Sequence, residues 1–296
     1  LGQGLRLMFS GLFKKILIAD RLAVAVNAVY ADPRGHSAAE LLLATWCFAI
    51  QIYCDFAGYT EIARGAAKVM GFDLMLNFNR PYLATSIVEF WRRWHISLST
   101  WFRDYLYIPL GGNRGSRGRT CLNLAFVFLV SGLWHGANWT FIVWGALHAL
   151  FVVLYVLSEA PRARFTARLG RAGRVCYDLA AWLVTFNLVC LAWVFFRAAT
   201  LADAVTILRR IAAGIPGVLS PARLGLDATQ AAIAALLVLG LALAEMASRR
   251  APTWDILDRQ PRVARWTAYY VLGAFFLVML LFSPQQGPQP FVYFQF

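Results

Sequence analysis

The stretch Ser86-Ile-Val-Glu-Phe-Trp-Arg-Arg-Trp-His-Ile-Ser-Leu-Ser-Thr-Trp101 is followed by Arg103-Asp-Tyr-Leu-Tyr-Ile-Pro-Leu-Gly-Gly-Asn113 and, after an apolar run, by Ser131-Gly-Leu-Trp-His-Gly-Ala-Asn138. Two histidines lie on two different elements of this region. His95 precedes a glycine turn, and His135 lies inside a hydrophobic run. An ionisable group at membrane depth is costly and is therefore a candidate functional residue. The pair predicts a polar site for which the rest of the chain is the scaffold.

The composition indicates a membrane protein. Of the 296 residues, 60% are hydrophobic and only 15% are charged, whereas soluble domains carry about a quarter of charged residues. The net charge of +13 comes mostly from Lys and Arg between apolar runs, where they set topology and meet anionic lipid headgroups. Nucleic-acid binding is therefore not expected. The five cysteines have no metal-ligand spacing, so we expect buried, unpaired thiols, no metal and no cofactor.

Apolar windows predict an all-α polytopic fold in one membrane domain over residues 1–296. Five windows are long enough to cross the bilayer: 38–57, 139–158, 177–196, 227–247 and 266–283. Two loops with five arginines each lie between spans, and the positive-inside rule puts both in the cytoplasm and the tail from Ser283 outside. The chain begins with Leu and shows no signal peptide, so we expect further spans before residue 1.

The segment before the first span predicts a different kind of helix. Residues 4–30 alternate apolar runs with charged side chains, so they are too charged to cross lipid alone. They are typical of an amphipathic helix that lies at the membrane interface or against other helices.

Residues 72–120 contain no apolar window of 18 residues, so none of this region is expected to span. Within it, Trp91, His95, Leu98 and Phe102 follow one another at i, i+4, i+7 and i+11. This spacing predicts one helix over 89–102 with His95 on an aromatic face. Such a partly charged helix fits a re-entrant or interfacial position, where protein or a water-filled cavity must cover the backbone.

Residues 121–158 contain no Asp, Glu, Lys or Arg. One helix of that length would run about 57 Å, against a hydrocarbon core of about 30 Å. The run must therefore break, and Gly136-Ala137-Asn138 is the expected place. The first piece would be short, about 14 residues or about 21 Å. It predicts a half-span that ends with His135 near mid-membrane, beside a central polar passage.

Several side chains could serve chemistry or structure. An imidazole titrates near neutral pH and can act as the base in acyl or proton transfer, but His95 and His135 fit equally well as two histidines that pack helices. His148 is expected to be a hydrogen-bonding residue between helices. Asp55, with Arg64 nine residues further on, predicts either a structural ion pair or part of a polar cavity.

Five motifs resemble those of the membrane-bound O-acyltransferase family. The most similar branch is that of the bacterial alginate O-acetyltransferase membrane subunits. Residues Pro290–Phe296 also resemble the C-terminus of that branch. The motifs are Cys54-Asp-Phe-Ala-Gly-Tyr59, Asn77-Phe-Asn-Arg-Pro-Tyr82, Phe90-Trp-Arg-Arg-Trp-His-Ile-Ser-Leu-Ser-Thr-Trp101, Arg103-Asp-Tyr-Leu-Tyr-Ile-Pro-Leu-Gly-Gly-Asn113 and Ser131-Gly-Leu-Trp-His-Gly-Ala-Asn-Trp139.

The resemblance implies roles for individual residues. His135 matches the catalytic histidine of the family, and His95 matches the second histidine of this branch. Four further residues are weaker candidates for binding substrate in the polar lining: Asp55, Tyr59, Arg92 and Asn113. The family fold is a ring of helices around a thin centre pierced by a tunnel, and its members have several more N-terminal spans.

The resemblance also implies an activity. Acetyl-CoA would be the cytoplasmic donor, and a periplasmic acetyltransferase partner would finish the O-acetylation of an extracytoplasmic polysaccharide such as alginate, at the bacterial inner membrane. Transfer of D-alanine to teichoic acid, or acetylation of cellulose, is an alternative within the class. A small-solute transporter or a non-catalytic docking subunit is an alternative from another class.

Overall fold

The computed structural model describes residues 1–248, 253–282 and 291. Within these residues the secondary structure is helical throughout, without a strand. The thirteen α-helices are α1 (Gly2–Leu12), α2 (Asp20–Ala31), α3 (Ala38–Val69), α4 (Ile87–Arg93), α5 (Ile96–Phe102), α6 (Arg117–His135), α7 (Trp139–Leu157), α8 (Glu159–Thr166), α9 (Arg171–Arg197), α10 (Leu201–Ala212), α11 (Ala228–Ala247), α12 (Thr253–Asp258) and α13 (Arg262–Leu281).

Five of the described helices are long and apolar enough to cross a membrane: α3, α7, α9, α11 and α13. They fall on the five windows predicted from the sequence, so the all-α polytopic membrane fold is confirmed. Two of them are longer than their windows, because α3 continues for 32 residues to Val69 and α9 begins among the arginines at Arg171. The predicted tail from Ser283 lies outside the described residues, except for Phe291.

The chain folds as two compact units. Unit 1 contains residues 1–74 and 213–296, and unit 2 contains residues 75–212. The single domain expected from the sequence stays a prediction, since each unit is defined here by its own internal packing.

In unit 1 the N-terminal helices pack along α3. A π-helical segment, Phe13–Ala19, joins α1 to α2. A Cβ on Gly4 would come within 2.6 Å of the carbonyl oxygen of Gly65, and one on Gly11 within 2.5 Å of that of Gly58. Two glycine pairs therefore allow the backbones of α1 and α3 to touch, a mode of packing common among membrane helices. Of the two positions expected for this segment, packing against other helices is the one observed.

In unit 2 the apolar run breaks where its length requires. Helix α6 ends at His135 and α7 begins at Trp139, with Asn138 capping the N–H of Thr140. The expected length of α6 was wrong, however. The helix has 19 residues and begins at Arg117, where Ser116 accepts from the N–H of Arg119. It is therefore about 28 Å long, because its first turn is built from arginines that a count of apolar residues leaves out.

The continuous helix expected over 89–102 was also wrong. Helix α4 ends at Arg93, and α5 begins only at Ile96. Between them His95 has φ +42° and ψ +56°, in the left-handed region. A right-handed helix cannot pass through such a residue, so the aromatic face inferred from the spacing of Trp91, His95, Leu98 and Phe102 does not exist as one surface.

Candidate active site

Backbone contacts hold His95 in its unusual conformation. His95 and Arg80 are the two residues other than glycine with positive φ among the described residues, and strained backbone of this kind clusters at functional sites. The carbonyl of Asn77 accepts from the N–H of Ile96 at 3.0 Å. Its side-chain oxygen accepts from both the N–H and the hydroxyl of Ser97, at 3.1 and 2.6 Å. Asn77 therefore fixes the start of α5 and, with it, the position of His95.

Aromatic rings surround His135 at the end of α6. Its imidazole lies edge-on to Trp134, Trp144 and Phe196, with ring centroids 5.0, 5.0 and 5.2 Å away. The ring is neither fully buried nor exposed. Trp134 is itself 55% exposed, so the three rings cover part of the imidazole and leave the rest accessible.

Helices α6 and α7 approach each other closely next to this histidine. A Cβ on Gly132 would lie 2.5 Å from the carbonyl oxygen of Phe141, and a Cβ on Gly145 would lie 2.5 Å from that of Phe128. Only glycine allows this backbone contact. The two glycines therefore set the distance between His135, one turn beyond Gly132, and the side chains of α7.

The two candidate histidines lie in the same unit and are near each other. A positive charge on His95 would disfavour one on His135, and the ring of Trp134 contacts both, with centroids 6.5 and 5.0 Å away. Burial lowers the pKa of His95, which lies outside the five spanning helices, to about 4. His95 is therefore neutral at physiological pH and can donate one hydrogen bond and accept another.

His148 is fully buried on α7. The indole N–H of Trp91, on α4, donates to its Nδ1 at 3.3 Å. The hydrogen bond between helices that the sequence predicted for His148 is therefore present. The ring of Trp144 contacts both this histidine and His135, with its centroid 5.0 Å from each.

Asp55 and Tyr59 belong to unit 1 rather than unit 2. Asp55 is buried and accepts from Lys15 Nζ at 2.7 Å, and Lys15 also pairs with Asp20 at 2.8 Å. The ion pair predicted for Asp55 exists, but its partner is Lys15, and the expectation of Arg64 was wrong because that side chain donates to the carbonyl of Leu74. Tyr59 is 42% exposed.

Arg92 and Asn113 lie in unit 2 but on its surface. Asn113 accepts a hydrogen bond from the hydroxyl of Tyr107. The turn just before it is anchored by Asn123, whose side chain donates to the carbonyls of Leu110 and Gly112 at 3.2 and 3.1 Å. Whether the four polar candidates contact substrate stays a prediction.

Two positioning residues were missed in the sequence, Asn77 and Asn123. A signal existed for Asn123, since it is a lone amide at the start of an apolar run, where an unpaired polar group would be costly. For Asn77 no local pattern pointed to Ser97, which lies 20 residues away. Among the described residues, no group of three His, Cys, Asp or Glu side chains is placed to hold a metal ion.

The geometry of unit 2 suits proton transfer in a water-poor environment. An imidazole next to an attacking hydroxyl can accept its proton, and the aromatic wall around His135 limits the access of water that would hydrolyse an activated acyl group. A second, neutral imidazole nearby can orient a reactant through hydrogen bonds.

Comparisons with known proteins assign this chain to a family. A family model described as MBOAT, membrane-bound O-acyltransferase family, matches residues 2–195. The chain is 45% identical over 199 residues to a probable alginate O-acetylase of Pseudomonas aeruginosa, covering 67% of this chain and 36% of that protein. It is 40% identical over 215 residues to a peptidoglycan O-acetyltransferase of Helicobacter pylori, covering 73% and 39%.

A more distant similarity is to a teichoic acid D-alanyltransferase of Bacillus subtilis, with 31% identity over 170 residues, covering 52% of this chain and 40% of that protein. The chain thus spans roughly two fifths of the length of these relatives.

Proposed function

This chain belongs to the membrane-bound O-acyltransferase family, and from that premise we propose that it transfers an acetyl group from acetyl-CoA for the O-acetylation of an extracytoplasmic polysaccharide. The observation that carries the proposal is the position of His135. It stands at the break between α6 and α7, enclosed by Trp134, Trp144 and Phe196.

In this proposal His135 is the general base. The acceptor hydroxyl loses its proton to the imidazole as its oxygen attacks the thioester carbonyl. The tetrahedral intermediate then collapses, the carbon–sulfur bond breaks, and the imidazolium returns the proton to the thiolate. The aromatic enclosure favours this sequence, because water that reached the thioester would compete with the intended hydroxyl.

His95 is a second member of the same site. Its left-handed conformation is fixed through Asn77 and lies between the short helices α4 and α5. This conformation holds a neutral imidazole near His135. In this position it orients the acyl donor or the acceptor hydroxyl by hydrogen bonding.

The substrates and the setting are part of the same proposal. Relatives named as alginate and peptidoglycan O-acetylating proteins support a polysaccharide acceptor outside the cytoplasm. Such an acceptor agrees with a location in the bacterial inner membrane and with a periplasmic acetyltransferase partner that completes the transfer. Similarity to a teichoic acid D-alanyltransferase makes D-alanine the alternative acyl group.

The test follows labelled acetyl from acetyl-CoA into polysaccharide. The membranes used contain the full-length protein together with its partner. We expect His135→Ala to abolish incorporation at an unchanged protein level. His36→Ala is the matched control, because it removes an imidazole from unit 1 and should keep wild-type incorporation.

Two results would redirect the proposal. Normal incorporation by His135→Ala would mean that the chemistry lies in another protein and that this chain conducts or docks. If wild-type membranes incorporated labelled D-alanine and no acetyl, the acyl group would be corrected while the role of His135 remained.

A further inference from the structure

One indole and one imidazole in unit 2 each have a buried nitrogen without a hydrogen-bond partner among the described residues. They are Nε1 of Trp144 and Nε2 of His148. Trp144 is 1% exposed and His148 is 0% exposed. Both residues lie on α7, four positions apart, so they share one face of the helix.

The hydrogen bond from Trp91 settles which nitrogen of His148 carries the proton. Because Nδ1 accepts from the indole of Trp91, the neutral imidazole must bear its hydrogen on Nε2. Nε2 is therefore a donor, like the indole nitrogen of Trp144, and the two donors belong to rings whose centroids are 5.0 Å apart.

Neighbouring indoles in the same unit show that such donors are otherwise satisfied. Trp182 donates to the carbonyl of Tyr82 at 2.7 Å, and Trp193 donates to the hydroxyl of the same tyrosine at 3.1 Å. More than nine in ten buried polar groups in proteins have a partner, and a buried donor without one costs about 1–3 kcal/mol. These two donors, one turn apart, need an acceptor that the described residues do not supply.

The position of the pair says what it would bind. The ring of Trp144 lies 5.0 Å from that of His135, which is the proposed base. An acceptor held by the indole N–H of Trp144 would therefore lie on a ring that contacts the proposed base. In acyl transfer the group that needs donors there is the carbonyl oxygen, on which negative charge develops as the hydroxyl attacks.

We propose that Trp144 and His148 bind the acyl carbonyl oxygen and stabilise its negative charge in the tetrahedral intermediate. This inference rests on the proposed function. The hydroxyl oxygen bonds to the carbonyl carbon, and the π electron pair of the carbonyl moves onto the carbonyl oxygen. At the same time the hydroxyl proton moves to His135. When the carbonyl re-forms, the bond to sulfur breaks and the thiolate takes the proton. Trp91 is a positioning residue, because it keeps the donating hydrogen on Nε2 of His148.

The first test compares two substitutions in the same aromatic cluster. Trp144→Phe removes an unpartnered N–H, whereas Trp193→Phe removes an N–H from a buried indole that stacks on Trp144 at 6.0 Å but donates to Tyr82. Loss of one donor to a developing oxyanion typically costs about 10²- to 10³-fold in kcat. We expect Trp144→Phe to lose about 10²-fold in kcat with little change in KM, and Trp193→Phe to lose far less.

The second test uses a matched pair at the histidine. Gln can place an amide N–H near the position of Nε2, whereas Met has a similar volume and no donor. We expect His148→Gln to keep most of the transfer that His148→Met loses, at equal thermal stability in detergent.

A spectroscopic measurement separates binding from structure. With [1-¹³C]acetyl-CoA bound to the full protein in membranes, donation to the carbonyl should shift its infrared band to lower frequency, and Trp144→Phe should reverse part of the shift. An unshifted band, or equal losses in Trp144→Phe and Trp193→Phe, would overturn the inference and leave a buried water as the acceptor. Because His135→Ala tests the base separately, its inactivity together with full activity of Trp144→Phe would reject this inference alone.

Discussion

Gly132→Ala tests whether the contact between α6 and α7 sets the geometry of the site. The added Cβ would meet the carbonyl oxygen of Phe141 at 2.5 Å, and this oxygen belongs to backbone that cannot rotate away. To reach 3.4 Å, where ordinary contact begins, the two backbones must separate by about 0.9 Å. His135 lies one helical turn from the substituted position, so its ring must move relative to Trp144 on the other helix.

The magnitude follows from two known effects. Overpacking a tight contact by one methyl group costs about 1–3 kcal/mol of stability, and a displacement of about 1 Å at a reacting group can cost about 10²-fold in rate. We therefore expect Gly132→Ala to unfold at a lower temperature in detergent and to transfer acetyl about 10²-fold more slowly in membranes.

Gly118→Ala is the matched control, because it lies in the first turn of the same helix. The nearest atom that its Cβ would meet is Ser116 Oγ, at 3.9 Å, which is ordinary van der Waals contact. This variant should keep wild-type stability and transfer. If Gly132→Ala behaved like Gly118→Ala, the backbone contact would not determine the position of His135, and the argument from close helix packing would be refuted.

Two further predictions address side chains that the site depends on. Asn77→Ala removes the acceptor of both Ser97 donors, which should cost about 2 kcal/mol and slow transfer, whereas Asn77→Asp keeps an acceptor and should lose less; equal losses would contradict this role. Asp55→Asn removes one of the two carboxylates that pair with buried Lys15 and leaves Asp20 in place, so it should destabilise the protein by about 1–2 kcal/mol in thermal unfolding. Asp73→Asn, whose carboxylate is 87% exposed, should be near neutral, and an equal effect would refute the argument from burial.

The features that the sequence predicted are those controlled by length and solvent. An apolar run too long for the bilayer must break, and Gly136-Ala137-Asn138 offers the residues for it, so the end of α6 at His135 could be placed in advance. The start of α6 could not, because its first turn contains Arg117 and Arg119 and is fixed by Ser116. Capping residues and snorkelling arginines lengthen a helix beyond its hydrophobic part.

The features that the sequence did not predict depend on contacts between distant residues. A prediction from periodicity assumes that every residue in the window continues the helix. For this reason it placed His95 on a helical face. What interrupts the helix is the pairing of Asn77 with the backbone 19 and 20 residues later. Likewise the partner of Asp55 proved to be Lys15, 40 positions away, and not the arginine on its own helix.

The motif Ser131-Gly-Leu-Trp-His-Gly136 combines packing and chemistry at the C-terminal end of α6. Gly132 brings the backbone of α7 into contact, Trp134 contacts the rings of both histidines, and His135 ends the helix. Because α7 approaches so closely, Trp144 and His148 reach the neighbourhood of His135 although α7 itself contributes no charged residue. Removing the glycine should therefore weaken the proposed base and the proposed carbonyl donors together, whereas Trp144→Phe removes one donor and keeps an aromatic ring beside His135. The two sets of variants separate the scaffold from the chemistry that it positions.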